Sequence, residues 1–196
     1  MTLVKLMISF FMCFIMGNKI ASDKMKIVLI AGDSGTGKTT LSRILCQQYP
    51  DIYNFINGYT DREQRDTDEW GHFFVGPEYM RHLLSKCDIA AQTKIQNAQD
   101  CTLRTQFDDV KINIYIVDKK GMDDVAQSFP KADIITVLIK REQYDIDIER
   151  KNRNVIIPDE FDVDFVINND DITVAVQNLH MAITSYFIDK IFIGVV

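Results

Sequence analysis

The chain has 196 residues, 46% of them hydrophobic and 26% charged, with a formal net charge of −6. That length suits one compact α/β domain with a substantial core, and the composition is globular rather than disordered. The acidic balance argues against broad nucleic-acid binding, which draws on a basic face, but leaves room for a small basic pocket around one phosphorylated ligand.

At the N-terminus, Lys5 precedes an apolar run from Leu6 to Met16. The run resembles the start of a signal peptide but is shorter than the roughly 20 apolar residues of a spanning helix. The following Gly17-Asn18-Lys19-Ile20-Ala21-Ser22 lacks a small-x-small cleavage pattern, and Met25 directly precedes an apolar β-like run. Residues 1–24 are therefore expected to be an upstream extension, from a start codon assigned too early, with a membrane anchor as the alternative. One domain over residues 25–196 follows, and the protein is expected to be cytoplasmic. Cys13, Cys46, Cys87 and Cys101 show neither C-x-x-C pairing nor zinc-ligand spacing, which reads as structural thiols in a reducing compartment.

From Lys26 onward, short β-like runs alternate with helical patterns, the signature of a parallel sheet flanked by helices. Ile27 to Ala31 reads as a strand buried on both faces. Leu41, Ile44 and Leu45 then recur at helical spacing, and Ile52 to Ile56 is a second strand candidate. Tyr59 to Gly71 is polar, with no helical or strand period. Pro77 to Lys86 is expected to be helical, with Pro77 in the first turn, and residues 87–108 are expected to hold a helix plus a loop. Ile112 to Val117 reads as a central strand, Met122 to Phe129 as a helix and Asp133 to Ile139 as a strand. Gln143 to Arg150 reads as a short helix and Val163 to Ile167 as the last strand. Ile172, Val176, Leu179 and Ile183 mark one face of a terminal helix running to about Phe187. The polar groups Asp162, Asp164, Asn169, Asp170 and Asp171 read as solvated strand-end or capping groups.

Gly32-Asp33-Ser34-Gly35-Thr36-Gly37-Lys38-Thr39 satisfies G-x-x-x-x-G-K-[ST], between a buried strand and an amphipathic helix. The glycines permit a tight turn whose N–H groups converge on an anion, helped by the positive end of the following helix. Lys38 can reach the β- and γ-phosphates of ATP, the Thr39 hydroxyl can ligand Mg²⁺, and Thr40 can contact the α-phosphate. A phosphotransferase also needs positive charge for its acceptor. Arg62 and Arg65 lie in the polar segment behind the loop, and a guanidinium fork suits a phosphate.

These motifs, in this order, resemble the guanylate kinase family. Gly32, Ser34, Gly35, Gly37, Lys38 and Thr39 fit its phosphate loop, and Thr60, Arg62 and Arg65 fit its Thr-Thr-Arg-x-x-Arg segment, with Asp61 in place of one threonine. Gly71-His72-Phe73-Phe74-Val75 is similar to its glycine-x-aromatic-Phe-Val stretch. Ile116-Val117-Asp118-Lys119-Lys120-Gly121 matches a strand-ending Asp-x-x-Gly. Phe129-Pro130-Lys131-Ala132 and the stretch Asp164 to Asp170 also fit, so the resemblance covers about residues 26–187. It implies a P-loop NTPase fold with a small acceptor-binding insertion and a lid that is short here, between Arg141 and Phe161.

The resemblance further implies ATP bound with Mg²⁺, and GMP or dGMP as acceptor held by Arg62, Arg65, His72, Thr102 and Asp118. Asp118 would also serve the metal, while Arg141, Arg150 and Arg153 would join Lys38 over the transferring phosphate. Monomer or homodimer is the expected state, with no nucleic-acid partner and no membrane association. The sequence departs from the family at Gly58, where a serine is expected, and in residues 87–108. There the guanine-reading glutamate and the Tyr-Gly-Thr/Ser element have no clear counterparts, and Asp100-Cys101-Thr102 matches only at Thr102. Another monophosphate or small-molecule acceptor, and a binding module without turnover, are the alternatives. Trp70 reads as a packing or hinge residue rather than a base-stacking one.

Overall fold

A computed structural model describes residues 24–65, 67–95, 97–142, 158–159 and 162–193. The N-terminal extension, the expected Gln143–Arg150 helix, Arg150, Arg153 and most of the expected lid lie outside the described residues.

The larger sheet has five parallel strands in the order β2-β7-β1-β8-β9. They are β1 (Lys26–Ala31), β2 (Tyr53–Phe55), β7 (Ile112–Ile116), β8 (Asp133–Lys140) and β9 (Phe165–Asn168). Every residue of β1 is buried, and its side chains alternate between two cores. Val28 and Ile30 join Ile112, Ile114, Ile135 and Ile139 beneath helices α1 (Lys38–Gln48) and α4 (Ile172–Ile193). Ile27, Leu29 and Ala31 face the opposite way, toward Met122 and Val125 of α3 (Lys119–Ser128). A near-continuous aliphatic run, here Ile27 to Ala31, is the pattern a strand needs when helices cover both faces. In α4, Val176, Leu179 and Ile183 are buried as the period predicts, and the helix continues beyond Phe187 to Ile193.

The smaller sheet comprises β3 (Gly58–Thr60), β4 (His72–Phe74), β5 (Ile89–Ile95) and β6 (Ala98–Leu103), in the order β4-β3-β6-β5. Helix α2 (Pro77–Lys86) covers one face through Met80 and Leu83, which pack with Cys101. The expected helix in residues 87–108 is replaced by the antiparallel β5–β6 pair and a single 3₁₀ turn, Arg104–Gln106. The alternation was masked because the face turned away from α2 carries Thr93, Asp100 and Thr102 rather than apolar residues. Strands β3 and β4 are three residues each, too short to show a period within the polar segment.

Cys46, Cys87 and Cys101 are free thiols. Among the described residues, no helix is long and apolar enough to cross a membrane.

Candidate active site

The C-terminal ends of β1 and β7 and one face of the small sheet enclose a cleft of about 1260 Å³. Ligands of parallel α/β sheets are expected at the carboxyl ends of the strands. The phosphate loop forms one wall, with Gly32, Asp33, Ser34, Gly35, Gly37, Lys38, Thr39 and Thr40 lining the cleft. Its shape depends on glycine at two points. Gly32 has φ 144°, and a Cβ there would lie 2.3 Å from the Ile139 carbonyl oxygen. Gly37 has φ 86°, and a Cβ there would lie 2.4 Å from Asn169 Nδ2.

Thr36 is the member of the motif whose side chain is buried: its hydroxyl donates to the Asp33 carbonyl at 2.9 Å. Lys38 folds over the loop and donates to the carbonyls of Gly32 (2.8 Å) and Asp33 (2.7 Å). Asn169, expected as a solvated strand-end group, is instead buried, and its amide donates to the Thr36 carbonyl at 2.6 Å. The reason is its place after β9, directly beneath the loop. Asp171 does cap α4, accepting from the amides of Thr173 and Val174.

Arg62 and Arg65 line the opposite side of the cleft. Arg62 makes a two-point ion pair with Glu69, with Nη1 2.9 Å from Oε2 and Nη2 on Oε1. Its guanidinium also lies 4.9 Å from the Phe74 ring centroid. Arg65 donates its backbone N–H to Glu69 Oε2 at 3.0 Å, and its guanidinium stands 4.0 Å from Oε1. The Glu69 carboxylate thus occupies a convergent set of N–H donors of the kind that binds phosphate. Glu69 escaped the sequence reading, although an acid four residues beyond Arg65 is the available signal.

This arginine segment reaches the phosphate loop: a methyl group placed on Gly71 would lie 3.6 Å from both Thr39 Cγ2 and the Phe55 ring. Trp70 packs on that same ring, with centroids 4.0 Å apart, and also lines the cleft. His72 lines the cleft, and its pKa is lowered by burial and by the Arg62 charge against the opposing pull of Asp100 and Glu69.

Asp118 caps α3. Oδ1 accepts the Gly121 N–H at 2.7 Å and Oδ2 accepts the Thr93 hydroxyl at 3.1 Å. It lines the cleft, but both oxygens already hold the framework. Thr102 is fully buried and donates to the Tyr115 hydroxyl at 2.7 Å, so it meets the cleft through Tyr115 rather than directly. Burial raises the Tyr115 pKa further above its usual value, keeping the phenol protonated. Arg141, at the end of β8, borders a separate recess beside Asp33 and Thr36 instead of the main cleft. Among the described residues no cluster of three or more His, Cys, Asp or Glu side chains could hold a metal. Thr39 stands exposed in the cleft, so its side chain is open to a ligand there.

No protein-family model matches the chain. Among curated proteins, a guanylate kinase of Trichormus variabilis is 25% identical over 180 residues, spanning 81% of this chain and 89% of that enzyme. The human guanylate kinase is 36% identical over a shorter stretch of 74 residues, 37% of this chain and 35% of that enzyme. The crystal structure of a guanylate kinase from Anaplasma phagocytophilum superposes with a TM-score of 0.62 at 13% identity, covering 86% of this chain and 89% of that one.

The chain is similar to guanylate kinases over most of its length. Its fold, a parallel sheet flanked by helices, is that of a P-loop NTPase, and its departures from the guanylate kinase sequence pattern are local. The phosphate loop and the arginine pair are present, whereas the hairpin behind them carries Ala91, Thr93 and Asp100 toward the cleft.

Proposed function

We propose that the protein is a nucleoside monophosphate kinase that transfers the γ-phosphoryl group of ATP to GMP or dGMP, giving ADP and GDP or dGDP. The observation that carries this reading is the meeting of two phosphate-binding elements in one cleft. The Gly32–Thr39 loop and the Arg62 and Arg65 segment line the same cleft, and a methyl group added at Gly71 would touch Thr39.

An acceptor phosphate oxygen attacks the γ-phosphorus in line, and the bond to the β-bridging oxygen breaks, releasing ADP. No covalent enzyme intermediate is needed, because positioning and charge neutralisation supply the catalysis. Lys38 exchanges its two carbonyl partners for the phosphates, while the loop amides and the start of α1 hold the donor. The Thr39 hydroxyl would hold Mg²⁺ together with the nucleotide, and the ion would supply neutralisation of phosphate charge there. Asp118 keeps α3 and Thr93 in place at the cleft wall. Arg141, together with Arg150 and Arg153 outside the described residues, is the candidate source of charge over the transferring group.

Arg62 and Arg65 take the acceptor phosphate by exchanging it for the Glu69 carboxylate. Glu69→Gln weakens the occupant that the acceptor displaces, so the KM for GMP is expected to fall about 3- to 10-fold, discounted for the partial exposure of the pair. A raised KM would mean instead that Glu69 holds the arginines ready for the acceptor.

The function itself is tested by offering purified protein ATP, Mg²⁺ and a panel of ribo- and deoxynucleoside monophosphates while following ADP formation. Stimulation by GMP and dGMP supports the assignment. Stimulation by a different monophosphate moves the acceptor, and none at all, with tight ATP binding, marks a module without turnover.

A further inference from the structure

Strands β8 and β9 pair in register up to Lys140 and Asn168. Two short polar residues follow, Asn169 and Asp170, of the kind whose side chains bond nearby backbone where regular structure ends. The Asn169 N–H donates to the Lys140 carbonyl at 2.7 Å, and Asp170 Oδ1 accepts the Glu142 N–H at 2.9 Å. Arg141 lies between these two anchors, so its backbone is fastened on both sides.

The Asn169 side chain runs to the phosphate loop instead. Nδ2 donates to the Thr36 carbonyl at 2.6 Å, and a Cβ on Gly37 would lie 2.4 Å from the same nitrogen. The carboxamide therefore rests against the peptide joining Thr36 to Gly37, directly before Lys38. Asn169 is 4% exposed, and among the described residues its buried Oδ1 has no hydrogen-bond partner. The side chain is thus committed to the loop by its donor end. Thr36 closes the loop from within, its hydroxyl and its N–H both reaching the Asp33 carbonyl. Asp33 and Thr36 in turn border one recess with Lys140, Arg141 and Glu142.

We propose that Asn169 is a positioning residue for the donor half of the site, fixing the Thr36–Gly37 peptide of the phosphate loop and, with Asp170, the backbone of Arg141 in one mutual placement. This rests on the monophosphate kinase reading and adds the group that keeps loop and arginine in register. Loop amides bind phosphate best when their planes are already set, because preorganised dipoles need no reorganisation as charge develops. Glycine supplies the turn but no side chain to hold it, and the Asn169 bond supplies that hold from beneath.

The competing role is architectural, with Asn169 as a shape filler after β9. Two substitutions of similar size separate the roles: Asn169→Asp and the uncharged Asn169→Leu each remove the donor. Both are expected to weaken ATP binding in calorimetry about 10- to 100-fold, the consequence of leaving a buried carbonyl unpaired. GMP binding should change less than about 3-fold, since Arg62 and Arg65 are untouched. ATP affinity within about 3-fold of wild type in either variant, or equal weakening of ATP and GMP, would overturn the loop assignment.

The link to Arg141 is read from kcat in a double-mutant cycle. Asp170→Ala should lower kcat about 3- to 10-fold alone and less than about 2-fold when Arg141→Ala is already present. Equal losses in the two backgrounds, or none in either, would overturn that half of the proposal. ATP binding needs no turnover, which keeps this test distinct from the function it rests on. ATP affinity lost in both Asn169 variants, with no transfer to any monophosphate, would overturn the kinase reading and keep the loop assignment. Transfer to GMP with ATP affinity unchanged in both variants would do the reverse.

Discussion

Lys38→Ala is expected to lower kcat for phosphoryl transfer by about 10²- to 10³-fold, the usual consequence of removing a preorganised charge from a transferring group. The residue opens α1 and folds its ammonium over the carbonyls of Gly32 and Asp33, so it stands where donor phosphates must arrive. The helix does not depend on it for packing, because Leu41 and Leu45 are the fully buried anchors. Thermal unfolding should therefore stay close to wild type while turnover is lost. ADP release measured beside a melt distinguishes this from general damage: full activity in a folded Lys38→Ala protein would remove the phosphate loop from the mechanism.

Arg62→Ala is the second large effect, and its direction follows from Glu69. Removing the guanidinium deletes a two-point ligand for the acceptor phosphate and also leaves the Glu69 carboxylate without its main partner, facing the incoming anion. Loss and repulsion add, and the KM for GMP should rise by about 10²-fold while ATP affinity changes less than about 3-fold. The double variant Arg62→Ala with Glu69→Ala should recover part of the loss, since the repulsive group is gone. Such non-additivity is the mark of two residues sharing one site. Equal weakening of ATP and GMP in the folded single variant would contradict the role given to Arg62.

Much of the framework was legible because its physics is local. The strand β1 announces itself as a run of aliphatic residues needed on both faces, and the loop behind it is a dense, spaced motif. The helix period of α4 showed in Val176, Leu179 and Ile183, and Pro77 marked the start of α2. The hairpin β5–β6 was hidden because one of its faces meets α2 and the other meets the cleft. Thr93 and Asp100 stand where apolar residues would have revealed the alternation.

The site divides in the same way. The loop and the arginines could be read from spacing, but their partners could not, because those contacts cross the fold. Asn169 lies 133 positions from the Thr36 carbonyl it supports. Thr93 reaches Asp118 from a different sheet, so this candidate ligand also braces α3. Thr102 keeps its place in the family pattern, yet its hydroxyl is spent on Tyr115. Each of these depends on tertiary packing, which a single sequence records only as isolated polar residues.

The central claim is that the Gly32–Thr39 loop and the Arg62–Arg65 pair serve one transfer reaction across one cleft. Product stoichiometry tests it most directly: ATP labelled at the γ-phosphate is incubated with GMP, Mg²⁺ and the full chain, and the label is followed by ³¹P NMR. The account predicts that the labelled phosphoryl group appears as the β-phosphate of GDP, one for each ADP formed. Label found only in free phosphate, or retained in ATP with GMP bound, would contradict it.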